Sequence, residues 1–400
     1  MRSSLVFVAA IVLLACSGDD GSTSGTATGT GTGVGGMGSG AGGTGAGSTG
    51  VGGAGQGGMP GVPQNQFLFV ANQSDATLVS YRIEDDGSLT EESSVDVPAV
   101  GPLAVDPSRE HLYAATVSPG RVTAFSIDHQ SGALTPLGGA VDIGIAPVYL
   151  AVHPSDDWLF IASYGDDAVQ VHALDAGGAV TATPASSDSP GTNPHSVALH
   201  PSGNIFFVPV TNATPESRVA QYFFNPTNGA MAPHGFVNAG QMGPRHPAFH
   251  PSLDILYVVN EHADSVTTYA VDVDQGTLSA EDTVSTLPGG MSDPNNTCAD
   301  IHVTPDGQHL YASNRGDDSL AIFDLDPTTG LPTPQGHVAT EAIPREFEVS
   351  ADGRYVYAAG QSSDRLASYR VESDGSLTPL TVYDVGQQPM WVLAINVDAP

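Results

Sequence analysis

Three arginines of this chain stand beside short apolar strands: Arg245 in "GPRHPAFHP", Arg315 after "LYASN" and Arg345 in "IPREFEVS". Glu261 closes "LYVVN" sixteen residues after Arg245, Asp300 opens "DIHVTP", and His195 opens "HSVALHP". A guanidinium fork holds two oxygens of a carboxylate or phosphate, or polarises a carbonyl. A carboxylate or imidazole takes the proton of an attacking water. Side chains of these types could hold a small anion and move a proton beside it, provided that the fold brings them to one place.

What must position them is a repeat. Gly-centred turns recur as "DDGSLT", "QSGALT", "AGGAVT", "TNGAMA", "DQGTLS", "TTGLPT" and "SDGSLT", with glycines at 87, 132, 178, 229, 276, 330 and 375, spaced 45 to 54 residues apart. Before each turn lies an alternating stretch such as "SVTTYAVD", and before that a denser apolar one such as "LYVVN". Period-two patterning, β-branched and aromatic residues, and Gly at the turns predict antiparallel strands. A further strand ("LAVDP", "HSVALHP", "REFEVS") opens six of the seven units; the first begins at "FLFVAN", and its missing strand returns after the seventh as "MWVLAINV". The prediction is an all-β, seven-bladed propeller of four-stranded antiparallel blades, closed by a C-terminal strand that completes the first blade.

In such a ring the first strand of each blade lines the central channel, and the second runs back beside it. Starts of first strands (Leu103, Val148, His195, Arg245, Asp300, Arg345, Met390) and residues just after second strands (Gln73, Val117, Tyr164, Thr211, Glu261, Arg315, Gln361) should therefore meet at one mouth. Units four to seven bring His195, Arg245, Glu261, Asp300, Arg315 and Arg345 there, while Leu103, Val148 and Val117 face them from the other side. Any wet mouth collects polar groups that satisfy one another, but this lopsided set suits a pocket for a small anionic ligand.

The rest of the chain is not core material. Arg2 and "LVFVAAIVLLA" followed by Cys16 have the layout of an export signal, and Leu13-Leu14-Ala15-Cys16 resembles the lipobox of bacterial lipoproteins, which implies lipidation of Cys16. From Ser17 to Gln66 there is no aromatic residue and only Asp19 and Asp20 are charged, so the expected organisation is a signal over 1–16, a Gly/Ser/Thr-rich tether over 17–65 and the propeller over 66–400. A flexible tether of about 45 residues averages roughly 35–40 Å end to end. The expected address is the cell envelope, at the periplasmic face or the outer surface, with the membrane met only through the lipid. Net charge is −32 and all eleven basic residues are arginine, a field that repels nucleic acid and anionic headgroups. Cys298 has no partner once Cys16 is lipidated, and a monomer is expected.

Weaker signals were also weighed. His153, His200 and His250 each open an "HPS" turn and read as turn structure. No HxH, HExxH or Cys cluster indicates a metal, no GxSxG indicates a serine nucleophile, and no cofactor is indicated. Asn295 and Asn296, in "GGMSDPNNTCAD", form a lid or a plain surface insertion.

From about Phe67 to Val397 the sequence resembles the seven-bladed lactonase family, which includes bacterial 6-phosphogluconolactonases and the fungal carboxy-cis,cis-muconate cyclase. The resemblance is sharpest in "GPRHPAFHPSLDILYVVNE", "DIHVTPDGQHLYASNRGDDSLAIFDLD" and "PREFEVSADGRYVYAAGQSSDRLASYRVESDGSLTPL". It implies a lactonase whose catalytic set is His195, Arg245, Glu261 and Arg345, with His195, titrating near neutrality, the better proton carrier and Glu261 orienting it or the water; the ring adds Arg315 and Asp300 as further substrate contacts, and the signal-like start adds export. The family has Asn where this chain has Glu346, and "VANQ" where it has "AAGQ" with Gly360; alternation along the strand should turn Glu346 away from Arg345. "LYVVNEHADSVTTYAVD" also resembles the YVTN-type repeats of surface-layer propellers, which implies a non-catalytic module binding a sugar or protein.

Overall fold

A computed structural model describes residues 64–211, 217–290 and 293–398; Cys16 and the segment 1–63 lie outside them. Seven antiparallel sheets follow one another along the chain, blade 1 borrowing its inner strand from the C-terminus and each of the other six built on four consecutive strands. In blade 5, for example, these are Pro244–Phe249, Ile255–Asn260, Ser265–Asp272 and Thr277–Ser285, paired in that order. Blade 2 carries an extra two-residue strand, Val141–Asp142, beside its third strand.

The predicted closure is present. Strand Pro389–Asp398 pairs antiparallel with Gln64–Asn72, from Gln64↔Asp398 to Asn72↔Pro389, and serves as the inner strand of blade 1. Gln64 and Asn65, assigned to the tether from sequence, are thus the first rungs of this pairing.

The Gly turns and second strands lock one blade to the next. Tyr257 donates to the Gly330 carbonyl (2.6 Å), Tyr311 to Gly375 (2.9 Å) and Tyr357 to Gly87 (3.0 Å), the last across the seam. Gly87 has φ +81, and a Cβ there would stand 2.3 Å from the Tyr355 ring; the turn requires glycine both for its handedness and for its closeness. Between blades the cores are dry. Tyr257, Val259 and Val266 of blade 5, for instance, pack on Ile301, Leu310, Ala312 and Phe323 of blade 6.

The HPS turns behave as read. Nδ1 of His250 accepts from Ser252 and Leu253 N–H (3.1 Å each), and Nε2 lies 3.1 Å from the Gly307 carbonyl of the next blade. Asn296 is not part of a lid: it is buried and donates to Asp264 (2.8 Å) and Asn314 (3.2 Å), tying down its own connection.

Candidate active site

The inner strands depart from ideal alternation at their entry. Pro244 pairs with Asn260 and Pro247 with Val258; Cys298 pairs with Asn314 and Ile301 with Ala312; Pro344 pairs with Gly360 and Glu346 with Ala359. Each inner strand therefore holds one residue more than its partner over this stretch, a β-bulge, which breaks the two-residue alternation of side chains.

Two consecutive residues of each bulged strand consequently meet at the channel. Arg245, Arg345 and His195 form an outer level; His246, Glu346 and Asp300, one step further along their strands, form a deeper one with Tyr149 and Trp391. Two expectations are corrected by this. Asp300 was aligned with Arg245 and Arg345, but its register equivalents are His246 and Glu346. Glu346 was expected to face away from Arg345, yet it is buried with Oε1 3.6 Å from Arg245 Nη2 and Oε2 3.7 Å from His246 Nδ1. Leu103 likewise pairs at the Pro247 level and not at the Arg245 level.

Five of the predicted residues crowd the outer level. Glu261 follows the strand Ile255–Asn260; it accepts from Arg315 Nη2 and has Arg245 Nε 3.8 Å from its other oxygen. Arg315 also donates to the Cys298 carbonyl at 3.1 Å. These two arginines hold the Glu261 carboxyl at about 2 against the effect of its burial. Arg245 is 0% exposed and donates Nη1–H to the Ala299 carbonyl, while Nε and Nη2 have no hydrogen-bond partner. Arg345 is half-buried and, among the described residues, makes neither ion pair nor hydrogen bond. Desolvation, then the positive charges of Arg245 and Arg315, push it down to about 10, leaving it a cation at neutral pH.

His195 is buried, with the edge of half-exposed Tyr164 against its ring at a centroid distance of 5.8 Å. Burial first, then Arg245, hold its pKa well below the ordinary histidine value, so the ring is neutral. No hydrogen bond joins it to Glu261; its Nδ1 has no partner at all.

The deeper level is a hydrogen-bonded chain that the sequence reading did not foresee. Asp300 takes the His246 ring at Oδ1 (Nδ1, 2.8 Å), and at Oδ2 both the His302 ring (Nε2, 3.0 Å) and the Phe347 N–H (3.1 Å). His302 Nδ1 lies 3.2 Å from Glu348. Despite burial, the carboxylates of Glu348 and Asp300 raise His302 well above the usual value, while Asp300 is depressed by His302 and His246. Glu346 is raised well above the carboxylate range, by burial and then by Asp300. Its neighbour His246 is pushed down to about 3 by burial and Arg245. A signal was legible: at one register in blades 5, 6 and 7 the sequence reads Arg-His, Ala-Asp and Arg-Glu.

Donor atoms of His246, Asp300 and Glu346 lie within 4.8 Å of one another, near enough for a metal ion. Both Asp300 oxygens already accept from imidazoles, however, and a guanidinium stands 3.6 Å from Glu346. A cation would have to displace the one and tolerate the other, so the donor set fits a hydrogen-bonded cluster. The cluster itself forms part of the wall of a cavity of about 420 Å³, together with Tyr149, Phe249, His302, Glu348 and Trp391.

The arrangement offers a free cation beside a neutral imidazole, over an internally neutralised base of charged groups, and the chain as a whole is similar to known proteins. The family model described as "Lactonase, 7-bladed beta-propeller" matches residues 84–394. A 6-phosphogluconolactonase of Pectobacterium carotovorum is 33% identical over 338 residues, covering 83% of this chain and 99% of its own. One of Erwinia tasmaniensis is 31% identical over 338 residues with the same coverage. The solved periplasmic gluconolactonase of Pseudomonas aeruginosa shares the fold at a TM-score of 0.75 and 23% identity, over 83% of this chain and 99% of that one. By its repeat, its closure and these matches, the chain belongs to the seven-bladed β-propeller lactonase family.

Proposed function

We propose that the protein hydrolyses a sugar-type lactone carrying a phosphate or carboxylate, bound at the mouth framed by His195, Glu261, Arg315, Arg345 and Tyr164. The observation that carries this reading is Arg345, a cation facing the mouth with no acidic partner of its own, where a substrate anion can supply one. A half-buried arginine so near Arg245 and Arg315 gains from an anion and loses without it.

In this reading Arg345, helped by Arg315, receives the substrate anion or the carbonyl oxygen. Arg245 is too enclosed to clamp substrate directly; its unsatisfied Nε and Nη2 contribute positive potential from beneath, where charge develops on the carbonyl oxygen. His195, neutral at working pH, takes the proton of the attacking water. Glu261, tied to Arg315 and held at about 2, stays ionised and keeps the arginines in place, a narrower role than the base or orienting group first assigned to it. Asp300 lies a level too deep to touch substrate. The names of the curated relatives, 6-phosphogluconolactonases, support a phosphorylated sugar lactone as the first substrate to test.

The envelope address is part of the proposal. The signal-like start and Cys16 support export and lipid anchoring, with a gluconate-type lactone from outside the cytoplasm as an alternative to the phosphorylated one. Metabolic labelling with a tagged fatty acid, comparing the full chain with Cys16→Ala, tests the anchor: equal labelling of both rejects it.

For catalysis, the purified chain and Arg345→Ala are assayed on 6-phosphogluconolactone, unphosphorylated gluconolactone and a carboxylated lactone. Loss of one charged oxyanion donor costs about a hundredfold in rate. No turnover of any lactone by the wild type, or equal turnover by both proteins, rejects the reading. The non-catalytic display module, favoured by Arg245 being held internally by Ala299 and Glu346, predicts the first of these results.

A further inference from the structure

The hydrogen bonds of the deeper level fix which nitrogen of each histidine carries its proton. Asp300 is an acceptor, since His302 Nε2 and Phe347 N–H both donate to it, so His246 must carry its proton on Nδ1, which lies 2.8 Å from Asp300 Oδ1. A neutral imidazole with Nδ1–H has a lone pair on Nε2. That Nε2 is buried and without a partner, and so is Nδ1 of His195. The two rings stand with centroids 5.1 Å apart, close to edge-on at 64°. Two imidazoles joined by an N–H···N hydrogen bond of about 2.9 Å hold their centroids about 5 Å apart. A modest ring rotation makes the bond, or one water spans it.

We infer that Asp300, His246 and His195 form a single oriented chain, in which His195 donates Nδ1–H toward His246 Nε2 and so presents the lone pair of Nε2 to the mouth. A buried donor and a buried acceptor left apart are each penalised for their lost hydration, whereas joined they satisfy one another. The inference therefore makes sense of two orphaned atoms at once. His302, doubly bonded to Asp300 and Glu348, pins the far end. His246 does not touch substrate; it is a positioning residue, and Asp300 acts through it.

In the hydrolysis proposed above, water adds to the lactone carbonyl, the ring C–O bond breaks, and the proton taken by His195 Nε2 passes to the departing ring oxygen. The chain holds His195 in the one tautomer that can accept that proton, and Asp300 offsets the imidazolium formed. Charged or titratable neighbours of His195 are Arg245, Arg315, Arg345 and His246; those of His246 are Arg245, Arg345, Asp300 and Glu346, with the Tyr149 ring against it. The three arginines oppose a charged His195 in the free protein, and a bound substrate anion relieves that opposition.

The catalytic role rests on the lactonase reading, but the proton positions do not, and the test separates them. Side-chain nitrogen NMR of the wild type, with His195→Gln and His246→Gln for assignment, should show protonated Nδ1 and bare Nε2 on both rings at neutral pH. An Nε2–H tautomer on either ring overturns the chain, whatever the enzyme turns over. Asp300→Asn should shift the His246 tautomer and lower kcat on the lactone that the wild type hydrolyses by about a hundredfold, with KM within twofold. Unchanged tautomers and unchanged kcat in a folded Asp300→Asn also overturn it. If Asp300→Asn fails to fold, the wild-type spectrum and His246→Gln, expected to lose the same factor in kcat, decide in its place. A wild type that hydrolyses no lactone but shows both Nδ1–H tautomers defeats the lactonase reading and leaves the oriented chain standing.

Discussion

Arg245 and Glu346, from blades 5 and 7, face one another at 3.6 Å across the channel, and neither the Nη2 nor the Oε1 involved has a hydrogen-bond partner. They attract without touching, in a place that water hardly reaches. Removing Arg245 takes from Glu261 one of the two guanidiniums that hold it ionised and leaves the buried Ala299 carbonyl without its donor, a loss of about 1–3 kcal/mol. Arg245→Met should therefore lose stability of that order in urea unfolding. Arg345→Met, which breaks no ion pair, should change it by less than about 1 kcal/mol while lowering lactone turnover about a hundredfold. The two arginines, alike in sequence context, are thereby told apart as a structural charge and a ligand-facing one.

Stability should depend on pH in a manner set by the channel. His302 is raised above its ordinary 6.5, so its contribution is complete below about 6.5 and lost as pH rises through the folded value. Glu346 is raised above 4.5, so its ionisation opposes folding increasingly above that pH. Glu261 is held at about 2 against an ordinary 4.5, so its contribution is complete above about 4.5 and lost as pH falls toward 2. His195 and His246 are held below 6.5, so their contribution is complete above about 6.5 and is lost as pH falls; together the five groups place the maximum near 6.5. Urea midpoints from pH 3 to 9 check this, and His302→Gln should flatten the alkaline limb alone.

Across the seam, Tyr357→Phe deletes the hydroxyl that reaches Gly87 and leaves the ring in place. The expected loss is about 0.5–1.5 kcal/mol, plus whatever the orphaned carbonyl adds. Denaturant unfolding measures it, and an unchanged midpoint would show that the strand pairing alone carries the closure.

Cys298 is buried, contacts Thr286 Oγ1 at 3.0 Å, and its thiol is pushed up to about 12 by desolvation. Only the thiolate reacts with alkylating reagents. In protein beginning after Cys16, iodoacetamide at pH 8 should leave the native chain unlabelled over hours and modify one site in urea, as mass spectrometry would record.

The ring and its closure were legible because every blade repeats the same turn, strand pattern and spacing, and because "MWVLAINV" had no place except beside the first strand. The mouth was legible to the extent that proline marks the register: Pro194, Pro244 and Pro344 precede His195, Arg245 and Arg345 correctly. In blade 6 Cys298 occupies that position, no mark exists, and Asp300 was set one residue out. The deeper level escaped for a different reason. Alternation is the rule by which sequence is assigned to faces of a strand, and the bulges suspend it where the site is built, so His246 and Glu346 were hidden behind Arg245 and Arg345.

The strand Gln64–Asn72 lies between Pro389–Asp398 on one side and Thr77–Ile83 on the other, bonded to both. It is also where the N-terminal segment enters the fold. A pull applied along that segment does not peel an edge strand rung by rung. It loads two hydrogen-bond ladders in parallel, in shear, so the entry point is held by both neighbours of its strand at once.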